Sequence, residues 1–261
     1  MRVFDLFQFS HELDLLECRL ETLDPVVSQF IIVESRKSHT LLNKPLNFKN
    51  HHEKYKKFLH KIKYITIDFN YENPFYNDMF CRDYLFKAIE NPQEDDIIIH
   101  GDLDEIPRVS ILQNIIDNLK EPCTLMLENM IFCVDLTIKS MDKFPGPIIT
   151  KYKWIKKNLH EMRNNRGNVN TKEFNLINDG GWHYTYFCPI ENIIKKLKYF
   201  AHAAETKLWS KDYNGIKNLI NTRKDFVVQD IEKIEVNETN ILSYILTNKE
   251  KFDIFFSNYY K

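Results

Sequence analysis

Several features that mark common classes of protein are missing from this sequence. Only six glycines occur in 261 residues, and the first of them is Gly101. A glycine-rich phosphate-binding loop therefore cannot lie near the N-terminus. No apolar run approaches the length of about 18 residues that a membrane-spanning helix needs, and acidic residues interrupt the N-terminal apolar runs, unlike those of a signal or transit peptide. The sequence thus predicts a cytosolic protein without a transmembrane segment.

Cysteine usage and net charge exclude further classes. The five cysteines are scattered, and because no two have CxxC spacing, neither a zinc site nor a redox motif is indicated. We expect them to be buried free thiols in a reducing compartment. With 36 basic and 37 acidic residues the net charge is −1, so no overall field favours nucleic acid. We expect no nucleic-acid partner.

The order of apolar patterns along the chain indicates alternating strands and helices. Continuous apolar runs at 30–33 and 97–99 are typical of strands that are buried on both faces. Leucines at three- and four-residue steps between Leu13 and Leu23 are typical of a helix that packs on one face. This alternation predicts an α/β fold with a mostly parallel central sheet flanked by helices.

The sequence predicts a single domain over 1–261. Its core is expected at 1–205, followed by a helical C-terminal extension at 206–261. Lysines alternate with apolar residues at 193–198, which predicts that these lysines lie on the solvent face of an amphipathic helix.

Two aspartates directly after the 97–99 strand are the main candidates for chemistry. Ligands of open α/β sheets bind at the carboxyl ends of the strands. Asp102 and Asp104 are two residues apart, so their side chains lean to the same side in extended geometry. Such a pair of carboxylates suits Mg²⁺ or Mn²⁺, and the Glu-Ile-Pro that follows is expected to fix a turn. The alternative is an acidic turn in which Asp104 or Glu105 caps the next helix.

A second candidate segment contains two of the six glycines, Gly180 and Gly181. Paired glycines allow close approach of the backbone to a ligand. The neighbouring Trp182 could stack on a sugar, and Asp179 or His183 could move a proton or bind a metal. The alternative is a tight turn with a core tryptophan and a hydrogen-bonded histidine.

Motifs in the same order along the chain resemble glycosyltransferase family 17. They lie between residue 3 and about residue 205 and comprise FDLF at 4–7, ELDLLE at 12–17, DPVV at 24–27, FIIVES at 30–35, Arg82 with Asp83, the segment 96–107, GGWH at 180–183, and His202 with Glu205. The resemblance implies a GT-A type fold that binds a nucleotide sugar. It also implies a UDP-sugar donor, Mn²⁺ or Mg²⁺ on the aspartate pair, inversion at the anomeric carbon and a glycan acceptor.

The residues can be assigned roles in a single displacement of UDP. Asp104 is expected to bind the metal, while Asp102 binds either the metal or the donor ribose. His202 is preferred over His183 as the histidine that completes the metal site. The side chains expected to bind the donor are Phe4, Glu34, Arg82 and Asp102.

On the acceptor side, Trp182 and His183 are expected to bind the glycan. Asp179 is the preferred base that deprotonates the acceptor hydroxyl, and Glu128 is the alternative. The transferred sugar is expected to be N-acetylglucosamine or a related hexose.

Two other functions remain open at this point. Paired aspartates also serve metal-dependent nucleotidyltransferases and phosphohydrolases, although a nucleotidyltransferase usually has the glycine-rich loop that is missing here. A non-catalytic carbohydrate-binding homologue is the second alternative, and the intact aspartate pair argues against it.

Overall fold

The computed structural model describes residues 1–138, 143–156, 158–168, 173–203, 212–226 and 229–260. Within them one sheet of ten strands is formed. The strands are β1 (Val3–Phe9), β2 (Gln29–Ser35), β3 (Ile62–Ile67), β4 (Ile97–His100), β5 (Glu105–Pro107), β6 (Cys123–Ile131), β7 (Leu136–Ile138), β8 (Phe144–Lys151), β9 (Asn175–Thr185) and β10 (Ile231–Lys233). The α-helices are α1 (Leu13–Leu23), α2 (Asn47–His51), α3 (Pro74–Lys87), α4 (Val109–Asn118), α5 (Leu159–Asn165), α6 (Ile190–Tyr199), α7 (Tyr213–Thr222) and α8 (Ser243–Thr247).

The N-terminal half of the sheet is parallel, with its strands in the order β4-β1-β2-β3. Successive side chains of β4 enter different cores, because strand residues point alternately to the two faces. Ile97 and Ile99 pack in one core with α1 and α4, whereas Ile98 packs in the other with α3 and α5. The predicted α/β class, a central sheet flanked by helices, is confirmed.

The C-terminal half of the sheet is mixed. It continues from β4 through β8, β6 and β7 to β10 by antiparallel pairing. Strand β9 pairs parallel with β6 and antiparallel with β5. The Glu-Ile-Pro segment, expected to fix a turn, is therefore the short strand β5. Its pairing sets Glu105 opposite His183, which ties the end of β4 to β9.

The C-terminal segment supplies a strand as well as helices. Strand β10 pairs with β7 at the edge of the sheet, and Ile241, Leu242 and Ile245 are buried in the core that also contains α1. The segment 206–261, expected to be a helical extension, thus contains strand β10 beside α7 and α8, and part of it packs in the same core as the N-terminal elements.

Two simpler expectations can be compared directly with the structure. All five cysteines are free and buried, as predicted. Among the described residues, no helix is both long enough and apolar enough to cross a bilayer.

Candidate active site

A cleft of about 310 Å³ opens at the carboxyl ends of β1, β2 and β4. Each strand is followed by polar residues that line it, with Glu12 after β1, His39 after β2, and Asp102 and Asp104 after β4. Helices α3 and α6 and strand β9 form the other walls. This is the edge at which open α/β sheets bind their ligands.

The buried side chain of Arg19 on α1 holds the turn that follows β4. Its Nε and Nη2 donate to the carboxylate of Asp5 on β1 at 2.8 and 2.7 Å. Its Nη1 donates to the backbone carbonyls of Asp102 and Glu105 at 2.9 and 2.7 Å. A Cβ on Gly101 would lie 2.6 Å from a carboxylate oxygen of Glu105 and 2.9 Å from the Cβ of Pro147, so a larger residue at that position would have to push these neighbours aside. The backbone from which both aspartates project is therefore rigidly held.

Asp102 is bound by arginines from two helices. Arg82 Nη1 donates to Oδ1 at 2.8 Å, and Arg163 Nη2 donates to Oδ2 at 2.5 Å. Arg163 also donates to the fully buried carboxylate of Glu105. Burial opposes ionisation of Asp102, but Arg163 and Arg82 outweigh it and hold the pKa of this carboxyl well below its usual range. Asp102 is thus a fixed anion in the cleft wall, and 35% of its side chain remains exposed.

Asp104 faces a lysine rather than an arginine. Lys196 Nζ on α6 donates to Asp104 Oδ2 at 3.0 Å and lies 3.2 Å from Glu12 Oε1. Burial opposes the charge of Lys196, but Asp104 and Glu12 outweigh it and hold the pKa of the ammonium well above its usual value. His183 Nε2 lies 3.8 Å from the other oxygen of Asp104. The two aspartates therefore have different partners.

The expected metal ligands do not form a ready-made metal centre. Both oxygens of Asp102 accept from arginines, and one oxygen of Asp104 accepts from Lys196. In the part of the chain that the structure describes, no group of three or more His, Cys, Asp or Glu side chains could hold a metal ion. A divalent cation at Asp104 Oδ2 would therefore have to displace the ammonium of Lys196, and metal binding by the aspartate pair stays a prediction.

Two further predicted residues, Arg82 and His183, line the same cleft. Arg82 bridges Asp102 and Asp78, with its Nε 3.0 Å from the Asp78 carboxylate. His183 stacks on Phe144 with a distance of 3.8 Å between ring centroids. Burial lowers the pKa of His183 despite the nearby Asp104, which disfavours the charged form of the ring.

His202 lies at the rim of the cleft. Its side chain is exposed, and its ring contacts Phe75 edge-on at 4.9 Å between centroids. Glu205, which accompanies His202 in the family motif, is outside the described residues.

Neither candidate base lines the cleft. Asp179 is 63% exposed in its side chain and accepts from Arg108 Nη2 at 3.0 Å. Glu128 on β6 forms an ion pair with Lys143. The structure does not bring these carboxylates together with the aspartate pair, and their role as base stays a prediction.

The segment with the glycine pair is a strand rather than a turn. Residues 178–184 lie within β9, and a Cβ on Gly181 would lie 2.1 Å from the carbonyl oxygen of Ile106. A Cβ on Gly180 would lie 2.5 Å from the Leu125 side chain. The glycines therefore permit close approach to neighbouring strands, not to a ligand as expected.

Trp182 is a core residue. It is 4% exposed, its Nε1 donates to the carbonyl of Asn240 at 2.8 Å, and Arg108 covers its ring at 4.4 Å from the centroid. This burial argues against the expected stacking of Trp182 on a sugar.

Two predicted donor-binding residues are also buried away from the cleft lining. Phe4 is 1% exposed and belongs to the core under α3 and α5. The Glu34 carboxylate accepts from the backbone N–H groups of Asn47 and Phe48 at the start of α2 and from the hydroxyl of Tyr64. For these side chains the structure supports packing and helix capping rather than donor binding.

Sequence reasoning missed two cations of the site, Arg163 and Lys196. Arg163 lies in a polar stretch without an apolar period, and its sequence offered no signal. Lys196 was expected on a solvent face with its neighbours. Lys195 and Lys198 are indeed exposed, but Lys196 points to Asp104. That one lysine of such a helix faces the cleft while its neighbours face solvent can be recognised only when the position of the helix against the cleft is known.

The fold and the cleft define an α/β protein with a cleft lined by polar residues at the ends of parallel strands, and they are consistent with a GT-A type fold. The model of glycosyltransferase family 17 matches residues 1–251. The chain therefore belongs to glycosyltransferase family 17, and this membership favours a glycosyltransferase over the nucleotidyltransferase and phosphohydrolase alternatives.

Curated relatives agree with this membership. The beta-1,4-mannosyl-glycoprotein 4-beta-N-acetylglucosaminyltransferases of Rattus norvegicus and Homo sapiens are each 23% identical to the chain over 299 residues. The similarity covers 100% of this chain and 55% and 56% of the two relatives. The Mus musculus enzyme is 22% identical, with 55% of its length covered. The chain thus spans little more than half the length of these relatives.

Proposed function

We propose that this glycosyltransferase transfers a sugar from a UDP-sugar to a hydroxyl group of a glycan, with inversion and in the presence of Mn²⁺ or Mg²⁺. The observation that supports it is the position of Asp102 and Asp104 in the cleft at the ends of β1, β2 and β4, in a chain that matches the family model over residues 1–251. N-acetylglucosamine is the first sugar to consider, because the similar rat, human and mouse enzymes are named for its transfer.

The reaction is a displacement at the anomeric carbon. The acceptor oxygen forms the new bond as the bond to the phosphate oxygen breaks. UDP leaves with the bonding electron pair, and a carboxylate takes the proton of the acceptor hydroxyl. Negative charge therefore develops on the leaving diphosphate, and fixed cations near it stabilise the transition state.

For Asp102 we propose the donor ribose rather than the metal. Its two oxygens accept from arginines, yet each carboxylate oxygen has a second lone pair. The exposed part of the side chain can accept a hydroxyl hydrogen without displacing either arginine. Asp104 can rearrange more readily than Asp102, because the cation that donates to it is the ammonium of a flexible lysine, Lys196.

Turnover of UDP-sugars tests the proposal. We expect release of UDP from UDP-N-acetylglucosamine or a related UDP-hexose to depend on a mannose-containing glycan acceptor and to fall when Mn²⁺ and Mg²⁺ are removed by EDTA. Asp104→Asn should lower kcat/KM by about 100-fold or more, since a charged group at the reacting centre is lost.

Asp117→Asn is the matched control. It removes the same charge from the exposed face of α4 and should leave turnover within about twofold. Absence of turnover with every UDP-sugar, or equal turnover by wild type and Asp104→Asn, would contradict the proposal.

A further inference from the structure

The loop that follows β2 places an ammonium group in the cleft that none of the assignments above uses. Lys44 lines the cleft together with Arg82 and Asp102. We propose that Lys44 forms an anion subsite that binds a phosphate oxygen of the donor's diphosphate. This inference rests on the proposed function in so far as the diphosphate belongs to a UDP-sugar.

The Lys44 ammonium has no hydrogen-bond acceptor among the described residues, although its side chain is only 5% exposed. The nearest carboxylate oxygen, Oε1 of Glu34, is 3.6 Å away, which is beyond hydrogen-bonding distance. Glu34 already accepts from Asn47, Phe48 and Tyr64. A buried ammonium with unused donors is costly unless an anion satisfies it.

The electrostatic setting points the same way. Burial lowers the pKa of Lys44 from its ordinary value, and the neighbouring carboxylates of Glu34 and Glu12 compensate only in part. A bound phosphate would supply the missing charge and the missing hydrogen-bond acceptors at once. Lysine binds phosphate well as a compact point charge.

The loop holds Lys44 in a fixed place. The backbone N–H of Lys44 donates to the carbonyl of Arg36 at 2.9 Å, and that of Ser38 donates to the carbonyl of Leu42 at 2.8 Å, so residues 36–44 form a closed hairpin. His39 N–H donates to the carbonyl of Tyr199 at 3.0 Å, which ties the hairpin to the end of α6 across the cleft. The ammonium is thus presented by a preorganised loop, as a binding group should be.

The position of Lys44 suits a diphosphate better than another anion. Asp102 and Asp104 line the same cleft and would repel a ligand that carried its charge near them. Lys44 follows β2, whereas the aspartates follow β4, and β1 lies between these strands. A ligand with a neutral sugar or ribose at the aspartates and phosphates toward β2 satisfies both groups.

The experiment compares binding of UDP and inorganic pyrophosphate to wild type, Lys44→Met and Lys44→Arg by isothermal titration calorimetry. We expect Lys44→Met to weaken UDP binding by about 10-fold to 100-fold, the effect of losing a charge-assisted hydrogen bond. Lys44→Arg, which keeps the charge, should bind UDP several-fold more tightly than Lys44→Met. Binding of pyrophosphate measures the contact of Lys44 with a diphosphate alone. Binding of UDP tests whether the diphosphate that Lys44 contacts can belong to a nucleotide.

Lys49→Met is the matched control, because it removes the same charge from an exposed residue of α2 outside the cleft lining. Its UDP affinity should stay within about twofold of wild type. The thermal melting temperature of each variant shows whether a substitution lowers the stability of the protein rather than its affinity for UDP. If Lys44 merely stabilised Glu34, Lys44→Met would melt earlier but bind UDP as wild type does, and the proposal would be overturned.

The outcomes also separate this inference from the proposed function. UDP affinity of Lys44→Met within threefold of wild type would overturn the Lys44 subsite and leave the transferase intact. Diphosphate binding that depends on Lys44, without transfer from any UDP-sugar, would overturn the proposed reaction and leave the subsite. Failure of wild type to bind UDP would overturn both.

Discussion

Asp102 and Asp104 are equivalent in the sequence pattern, yet their carboxylates have different hydrogen-bond partners in the structure. Asp102 is held by two guanidinium groups, which present several donors in a planar fork. Asp104 contacts the ammonium of Lys196 and lies near the imidazole of His183. The first carboxylate is therefore rigid and strongly anionic, whereas the second can exchange its partner when a ligand enters.

The base is the residue whose assignment most needs an experiment. The sequence-based order, Asp179 before Glu128, predicts that Asp179→Asn lowers kcat by about 100-fold or more, because proton transfer contributes at least that much. The donor dissociation constant should not change, since the donor cleft does not include this residue. Single-turnover kinetics with UDP-sugar and acceptor measure the effect.

Glu128→Gln serves as the comparison in that experiment. A loss in Glu128→Gln alone would transfer the role to Glu128. If both amide variants kept kcat within threefold of wild type, neither carboxylate would be the base, and the ion pairs with Arg108 and Lys143 would be their whole function.

Secondary-structure elements bring the charged residues of the site together. Helices α3 and α5 pack on the same face of the sheet, and each delivers one arginine to Asp102. Helix α6 delivers Lys196 to Asp104 from another direction. The site is thus assembled from three helices around the end of β4.

Strands β5 and β9 depend on glycine at one point of their contact. Gly181 has φ of +140°, and a Cβ there would lie 2.1 Å from the Ile106 carbonyl oxygen. We expect Gly181→Ala to lower the free energy of unfolding by about 3 kcal/mol, since backbone must move to relieve the clash. Urea denaturation followed by fluorescence measures the change.

Gly167→Ala is the control for that substitution. The nearest atoms to a Cβ on Gly167 belong to the Pro145 side chain at 3.0 Å, and residue 167 is exposed. Its effect should be below about 1 kcal/mol. Equal stability of Gly181→Ala and wild type would show that the β5–β9 contact can relax.

At the scale of the whole molecule, the two ends of the chain share one core. The C-terminal segment adds buried side chains to the core beneath α1, namely Ile241, Leu242, Ile245, Phe252, Phe255 and Phe256. Tyr184 of β9 accepts a hydrogen bond from the backbone N–H of Leu242. The last residues therefore cover strands that would otherwise expose apolar surface.

A truncated chain of residues 1–205 tests this integration. We expect it to lack a cooperative thermal transition, because each of the missing large side chains contributes a few kcal/mol by burial and total stability is of the order of 10 kcal/mol. Circular dichroism during heating provides the measurement. A cooperative transition within about 5 °C of the full chain would mean that the extension is dispensable.

Local patterns explain what could be predicted from the sequence. The buried strands at 30–33 and 97–99 and the leucine stripe of α1 have apolar periods that a few residues encode, and the structure contains all three elements. The same local reasoning placed Asp102 and Asp104 at a strand end beside a cleft. It misjudged Trp182 and the glycine pair, because β9 packs against strands from other parts of the chain.

By itself, therefore, the sequence determined the α/β class, the main elements and the aspartate pair. Only the tertiary structure decided which side chains surround that pair. Arg163 is 61 residues from Asp102, and Lys196 is 92 residues from Asp104. Contacts over such separations arise when helices pack on a sheet, and packing leaves no period in the sequence from which a partner could be identified.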